Sequence, residues 1–252
     1  MTNYPSNLSD GQWQVISKYF DSQRSRKYDL REIVNAILYI VKTGCQWRML
    51  PKDFAPWQLV YYYFNTWKRQ EFFEVIQESL VQKTRVKQGK KEQPRVGIID
   101  AQSVKSTLVG SESRGFDAGK RIKGIKRHII VDTLGMILAV VIQGASVQDR
   151  DGATEVISKL CETWNGVIKI FADNGYRGAL IDKVKKMFKI VFEVIKRSEL
   201  HIFKVLPKRW IVERTFAWID TNRRTAKNYE RFNSTSVAIV HLSAIRIMLN
   251  RF

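Results

Sequence analysis

The sequence predicts an α/β chain in two parts, an all-helical N-terminal domain followed by a mixed-sheet domain with helices on its faces. Three observations predict it. Apolar residues recur at helical spacing up to residue 82; a polar, basic stretch follows; beyond Pro94, short apolar runs alternate with amphipathic segments.

Taken in order, Ser9 suits an N-cap before Trp13, Ile16 and Phe20, which fall on one helical face. Asp29 precedes a second face of Ile33, Ala36, Ile37 and Ile40, and Gly44 suits its end. Pro51 and Pro56 punctuate a loop. The segment WQLVYYYFNTW, from Trp57 to Trp67, predicts a third helix. Its aromatics are expected mainly in the core, with stacking on bases as the alternative. Phe72 to Val81 gives a further amphipathic helix. Short helices with basic edges suit a helix-turn-helix type of DNA reader, so residues 1–82 are read as a helical DNA-binding domain. Residues 83–95, KTRVKQGKKEQPR, read as a basic linker.

Residues 96–252 form the second domain. RVGIID reads as a strand ending in a carboxylate. KRHIIVD and MILAVVIQGA read as a hairpin turning at Thr133-Leu134-Gly135. GATEVISKLCETW reads as a helix, VIKIFAD as a strand ending in a carboxylate, ALIDKVKKMF as a helix and KIVFEVI as a strand. Helices from about Lys208 to Asp220 and from Ser236 to Asn250 close the chain.

Charge narrows the function. Lys and Arg number 43 against 24 Asp and Glu, a formal net charge of +19. Such a surplus attracts polyanions, and nucleic acid is the commonest of these. No apolar run is long enough for a membrane span, and the first residues lack the pattern of a signal peptide. Cys45 and Cys161 form no zinc or redox spacing and read as buried reduced thiols. Together these suit a cytoplasmic, nucleoid-associated protein.

The chemistry rests on acids. Asp100 and Asp173 are each expected at a strand end, where ligands of open α/β sheets bind. Hard divalent cations take oxygen ligands, and two such ions about 4 Å apart serve phosphoryl transfer. Glu213, in KRWIVERTFAWID, is the candidate third carboxylate. Each has an ordinary alternative: Asp100 as a turn cap, Asp173-Asn174-Gly175 as a turn, and Glu213 as the helical partner of Arg209. Asp132 reads as a turn residue, and Asp149 and Asp151 as helix caps. His128, His201 and His241 share no motif.

The stretches GFDAGKRIKGIKRHIIVDTLG, ASVQDRDGA, FADNGYRG, RWIVERTFAW and NRRTAKNYER, in that order, resemble the DDE transposases of bacterial insertion sequences, specifically the insertion-sequence-five family. LSDGQWQVI and LREIVNAILYIVKTGCQWRMLPKDFAPWQLVYYYFNTW resemble that family's helical N-terminal domain, so the likeness runs nearly end to end. It implies an RNase H-like catalytic core, with Asp100, Asp173 and Glu213 as catalytic, metal-binding triad. It implies dependence on Mg²⁺ or Mn²⁺, with two ions expected, and terminal inverted repeats as substrate. Arg209 and Glu213 match the family pattern around the third acid, whereas Leu206 and Asp220 stand where that pattern has Tyr and Lys.

Lys120, Arg121, Lys123, Lys126, Arg127 and His128 are expected to contact DNA phosphates. Arg209, Arg214, Arg223 and Arg224 are expected to hold the scissile strand. The expected activity is cleavage at the element ends followed by transesterification of the freed 3′-OH into double-stranded target DNA, by a homodimer or larger synaptic complex. A repressor that has lost catalysis, or a nuclease of the same core that cuts without joining, are the alternatives.

Overall fold

The computed structural model describes residues 4–20, 26–108, 111–195 and 209–252. In chain order its elements are α1 (Asp10–Ser17), α2 (Leu30–Thr43), α3 (Trp57–Arg69), α4 (Phe72–Lys87), β1 (Val96–Lys105), β2 (Gly115–Asp117), β3 (Ile122–Val131), β4 (Ile137–Gly144), α5 (Asp149–Thr163), β5 (Lys169–Ala172), α6 (Leu180–Phe188), β6 (Val191–Val194), α7 (Arg209–Asp220), α8 (Arg223–Ala226) and α9 (Asn233–Leu249). Short 3-10 turns lie at Trp47–Met49 and Asn174–Tyr176.

The chain forms two compact units that interleave along the sequence. One comprises Met1–Leu80, Ile219–Ala226 and Ala238–Phe252; the other comprises Val81–Trp218 and Lys227–Val237. The domain limits read from the sequence are simpler than this. The C-terminal segments 219–226 and 238–252 group with the helical unit, because their apolar faces are buried there. The basic linker is also shorter than expected: α4 continues to Lys87, since nothing before Gly89 breaks a helix.

The helical unit follows its capping signals. Ser9 accepts the Gln12 backbone N–H while the Gln12 side chain accepts that of Ser9, closing a capping box at α1. Asp29 accepts from the backbone of Arg31 at the start of α2. Gly44 ends α2 in the left-handed region, at φ 72°, which L side chains resist. It also lies close to α8, where a Cβ would come 3.1 Å from that of Arg223. Ile33, Ile37 and Ile40 of α2, Val60 and Phe64 of α3, and Leu242 and Ile245 of α9 are buried. Phe20 meets Trp67 and Phe72 edge-on, with ring centroids 5.2 and 5.0 Å apart. The aromatic segment therefore supplies core, as expected, although Tyr61 and Tyr62 stay exposed.

The second unit is built on a mixed sheet ordered β2-β3-β1-β5-β6, with β4 also paired to β3. β3 runs antiparallel to β1 and β4, while β1, β5 and β6 run parallel. β2 pairs with Ile122–Gly124 and β4 with the rest of β3. This is the mixed α/β sheet of an RNase H-like core. β2 and α8, only three and four residues long, carried no periodic signal in the sequence.

Three further expectations are refined. Asp132 lies at the hairpin turn, as expected, but it also anchors that turn. It is fully buried, receives the Arg85 guanidinium, and accepts the backbone N–H groups of Leu134 and Met136 at 2.9 and 2.8 Å. Asp149 and Asp151 are not caps: they lie inside the first turn of α5, whose N-cap is Gln148. Cys45 and Cys161 are free but half-buried rather than buried.

Candidate active site

β1 and β5 pair in parallel, and their register ends with Ile98 opposite Phe171. Asp100 and Asp173 each follow two residues later. Because strand side chains alternate with period two, Asp100 shares a face with Ile98 and lies level with Asp173. β5 stops at Ala172, so Asp173 is the first residue beyond it. Asp100, by contrast, is not at a strand end. β1 continues to Lys105, because β3 pairs with it along that whole length, Asp100 facing Ile129. The carboxylate of Asp100 is thus held mid-strand, at the level where its parallel neighbour gives out.

Both acids are half-buried and line one small pocket with Ile98, Ile99, Phe171, Ala172 and Ile195. Asp173 Oδ1 accepts the backbone N–H of Gly175 at 2.8 Å, and Asp173 caps the 3-10 turn that follows. Asp100 Oδ1 accepts from the backbone of Ala101 at 2.8 Å. These local bonds orient each carboxylate against an apolar floor. Two carboxylates so placed suit a hard divalent cation, which takes one or two protein oxygens together with water and phosphate.

Glu213 is exposed on α7 and is not among the residues lining that pocket. α7 is fixed to the β3–β4 turn. Thr215 Oγ1 donates to Gly135 O at 2.9 Å, and Arg214 donates to Leu134 O at 3.1 Å. Among the described residues, no three His, Cys, Asp or Glu side chains gather as a metal cluster. Leu206, Lys208 and His201 lie outside the described residues, as does the side chain of Arg209.

The expected phosphate contacts divide sharply. Lys120, Arg121 and Lys123 are exposed around the β2–β3 turn. Lys126, Arg127 and His128 are buried, and burial withdraws them from any ligand on the outer surface. Lys126 lies between Asp149 at 2.8 Å and Asp117 at 3.8 Å. Burial, with Lys126 nearby and against the opposing pull of Asp149, lowers the His128 pKa to about 4, so the ring is neutral under α5. Arg127 Nη1 donates to Gln102 at 3.3 Å, and its register puts it on the face of Asp100. Arg214 is sandwiched between Trp210 and Trp218, 4.5 and 4.3 Å from the ring centroids. Arg224 is buried and donates to Cys45 O at 3.1 Å, whereas Arg223 is exposed. Burial in the middle of β3 was invisible in the sequence, since KRHIIVD shows a basic run without showing what covers it. Sequence reasoning also passed over Arg177, four residues after Asp173 and exposed; its signal was the YRG that completes FADNGYRG.

The chain is similar to known proteins along most of its length. Residues 91–248 match the family described as "Transposase DDE domain". Residues 8–77 match "Putative transposase of IS4/5 family". A curated relative from Burkholderia cepacia, "Putative transposase for insertion sequence element IS402", is 28% identical over 134 residues, 50% of this chain and 64% of that protein. A solved structure described as the Mos1 strand transfer complex aligns over 92% of this chain and 79% of that one. At 11% identity and a TM-score of 0.31, that likeness is too distant to carry an argument. With a sheet that places Asp100 and Asp173 side by side and a family match over 91–248, this chain belongs to the DDE-domain transposases.

Proposed function

We propose that the chain binds the terminal inverted repeats of an insertion sequence, cuts at their ends and joins the freed strand to target DNA. The observation that carries this is the register-matched pair Asp100 and Asp173 lining one pocket of a chain with net charge +19. Membership of the DDE family implies dependence on divalent metal. That the ions are Mg²⁺ or Mn²⁺, and that two are held, is part of our reading. Asp100 and Asp173 would hold them, with Glu213 contributing from α7. Held there, such ions would supply activation of the attacking oxygen and stabilisation of the leaving 3′ oxygen.

The protein's own part is to hold and orient. Backbone N–H groups fix the two aspartates, the apolar floor of Ile98, Phe171 and Ile195 limits water, and exposed Lys120, Arg121 and Lys123 attract the phosphate backbone. In the helical unit, α3 suits the reading helix. Gln58, Tyr62 and Arg69 are exposed and Asn65 is half-buried, on one stripe of a helix that contains no acid. Gln and Asn pair bidentately with adenine and Arg with guanine in the major groove. Two element ends must be joined together, so a dimer or larger synaptic complex is the working form.

The test uses labelled inverted-repeat ends and a supercoiled target, with Mg²⁺ or with EDTA. Joined products that need the metal support the reading. Cutting without joining would make the chain a nuclease, and binding with neither would make it a repressor.

A further inference from the structure

α5 and α6 contribute their first turns to one open cleft of the second unit, about 530 Å³ in volume. Arg150 and Thr154 line it from α5; Arg177, Gly178 and Lys183 line it from the segment that leads into α6 and from α6 itself. Arg177 and Lys183 are exposed. Arg150 is held loosely, its Nε 3.7 Å from Asp151 Oδ1, with both side chains more than half exposed. Asp151 is the one acid among the described lining residues, so three cations leave a surplus of two positive charges. Like charges gathered in a concave site repel one another, and an anion relieves that repulsion.

The backbone adds to the same field. Neither N-cap residue, Gln148 of α5 or Ala179 of α6, makes a side-chain capping bond. Backbone carbonyls take some of the opening N–H groups, that of Asp151 going to Gln148 O at 3.0 Å and that of Ile181 to Gly178 O at 3.1 Å, and the positive ends of the two helix dipoles still favour an anion. Gly178, at φ 93°, turns the chain into α6. A Cβ there would meet nothing within 4 Å, so this glycine serves the turn and not a packing contact. Arg177 leaves the 3-10 turn that Asp173 caps.

We propose that this cleft holds a DNA backbone phosphate, with Arg177 and Lys183 as its principal ligands and Arg150 as the third. The proposal rests on the reading that the chain acts on DNA. Arg offers a planar fork to two phosphate oxygens, and Lys offers a mobile point charge. The role is positioning. A strand gripped by Arg177 is tied to the short segment that carries Asp173, so its register against the carboxylates is set.

The experiment is a scan of duplex inverted-repeat ends carrying one neutral methylphosphonate linkage each. Binding is measured for wild type, for Arg177→Ala/Lys183→Ala, and for the control Lys185→Ala/Lys186→Ala. The control removes two exposed charges from α6 that do not line the cleft. For wild type and control, one linkage should weaken binding, and the cleft variant should no longer sense it. On unmodified duplex, the cleft variant should lower the slope of log affinity against log salt by about 1, as expected for one lost phosphate contact. Thermal melting of both variants establishes that each is folded. Equal loss in cleft and control variants, or a linkage penalty that survives the cleft variant, would overturn the cleft while leaving DNA binding intact. A wild-type chain that binds no duplex overturns both readings.

Discussion

His128 and Asp100 sit on neighbouring strands and on opposite faces of the sheet, and burial gives them opposite fates. Ala101 is the register partner of His128, so the ring points away from the Asp100 face and lies under α5. It is fully buried, neither ring nitrogen is hydrogen-bonded among the described residues, and its pKa falls to about 4. An unfolded His takes up its proton near pH 6.5. Below that value the unfolded state binds a proton that the folded state refuses, so stability falls as pH drops from about 6.5 towards 4. Linkage puts the loss at about 2 kcal/mol between pH 7 and pH 5. Urea unfolding at the two pH values should show it, and His128→Gln should abolish most of the difference; a stability independent of pH in wild type would contradict this. Asp100 keeps its place at the pocket because β5 ends beside it. The sequence showed the acid and the apolar run before it, but not that β1 runs on for five more residues to Lys105. That length is set by pairing with β3, a tertiary contact that no local pattern encodes.

At the scale of elements, the long helices and strands were legible because capping and periodicity agree with their packing. Ser9, Asp29 and Gly44 mark helix ends that the structure realises with hydrogen bonds or a left-handed turn. What the sequence hid were ties between elements. The hairpin turn at Asp132 is anchored by Arg85, a residue the sequence placed in a linker, and the pair is buried on both sides. Removing one partner strands a buried charge, so Asp132→Ala should cost about 3–5 kcal/mol. Denaturant unfolding checks it, and a loss under about 1 kcal/mol, the range of exposed pairs, would show that the pair is dispensable. α5 meets the sheet through Gly152, where a Cβ would come 2.3 Å from His128 Cε1 and 2.7 Å from Gln143 Oε1. Gly152→Ala should therefore destabilise by about 1–3 kcal/mol, although alanine favours a helix by up to about 1 kcal/mol over glycine. A rise in melting temperature would contradict this close approach.

For the whole molecule, the candidate site was legible as a set of residue types and only partly as an arrangement. Asp100 and Asp173 could be paired in advance because each ends an apolar run. The basic run from Lys120 to His128 could not be sorted in advance into exposed and buried halves, since that depends on α5 lying over β3. α3 makes a separate prediction for DNA reading. Arg69→Ala should weaken binding to the inverted repeat more than to unrelated duplex, because base contacts carry specificity while phosphate contacts do not. Competition gel shifts decide it; equal loss on both duplexes would remove α3 as the reading helix. The central claim is that Asp100 and Asp173 carry the chemistry of DNA joining. It is tested most directly by strand transfer with Asp100→Asn and Asp173→Asn chains that retain wild-type DNA affinity and melting temperature. The account predicts that metal-dependent joined product falls to background in both while binding persists. Joining that continues in either variant would contradict it.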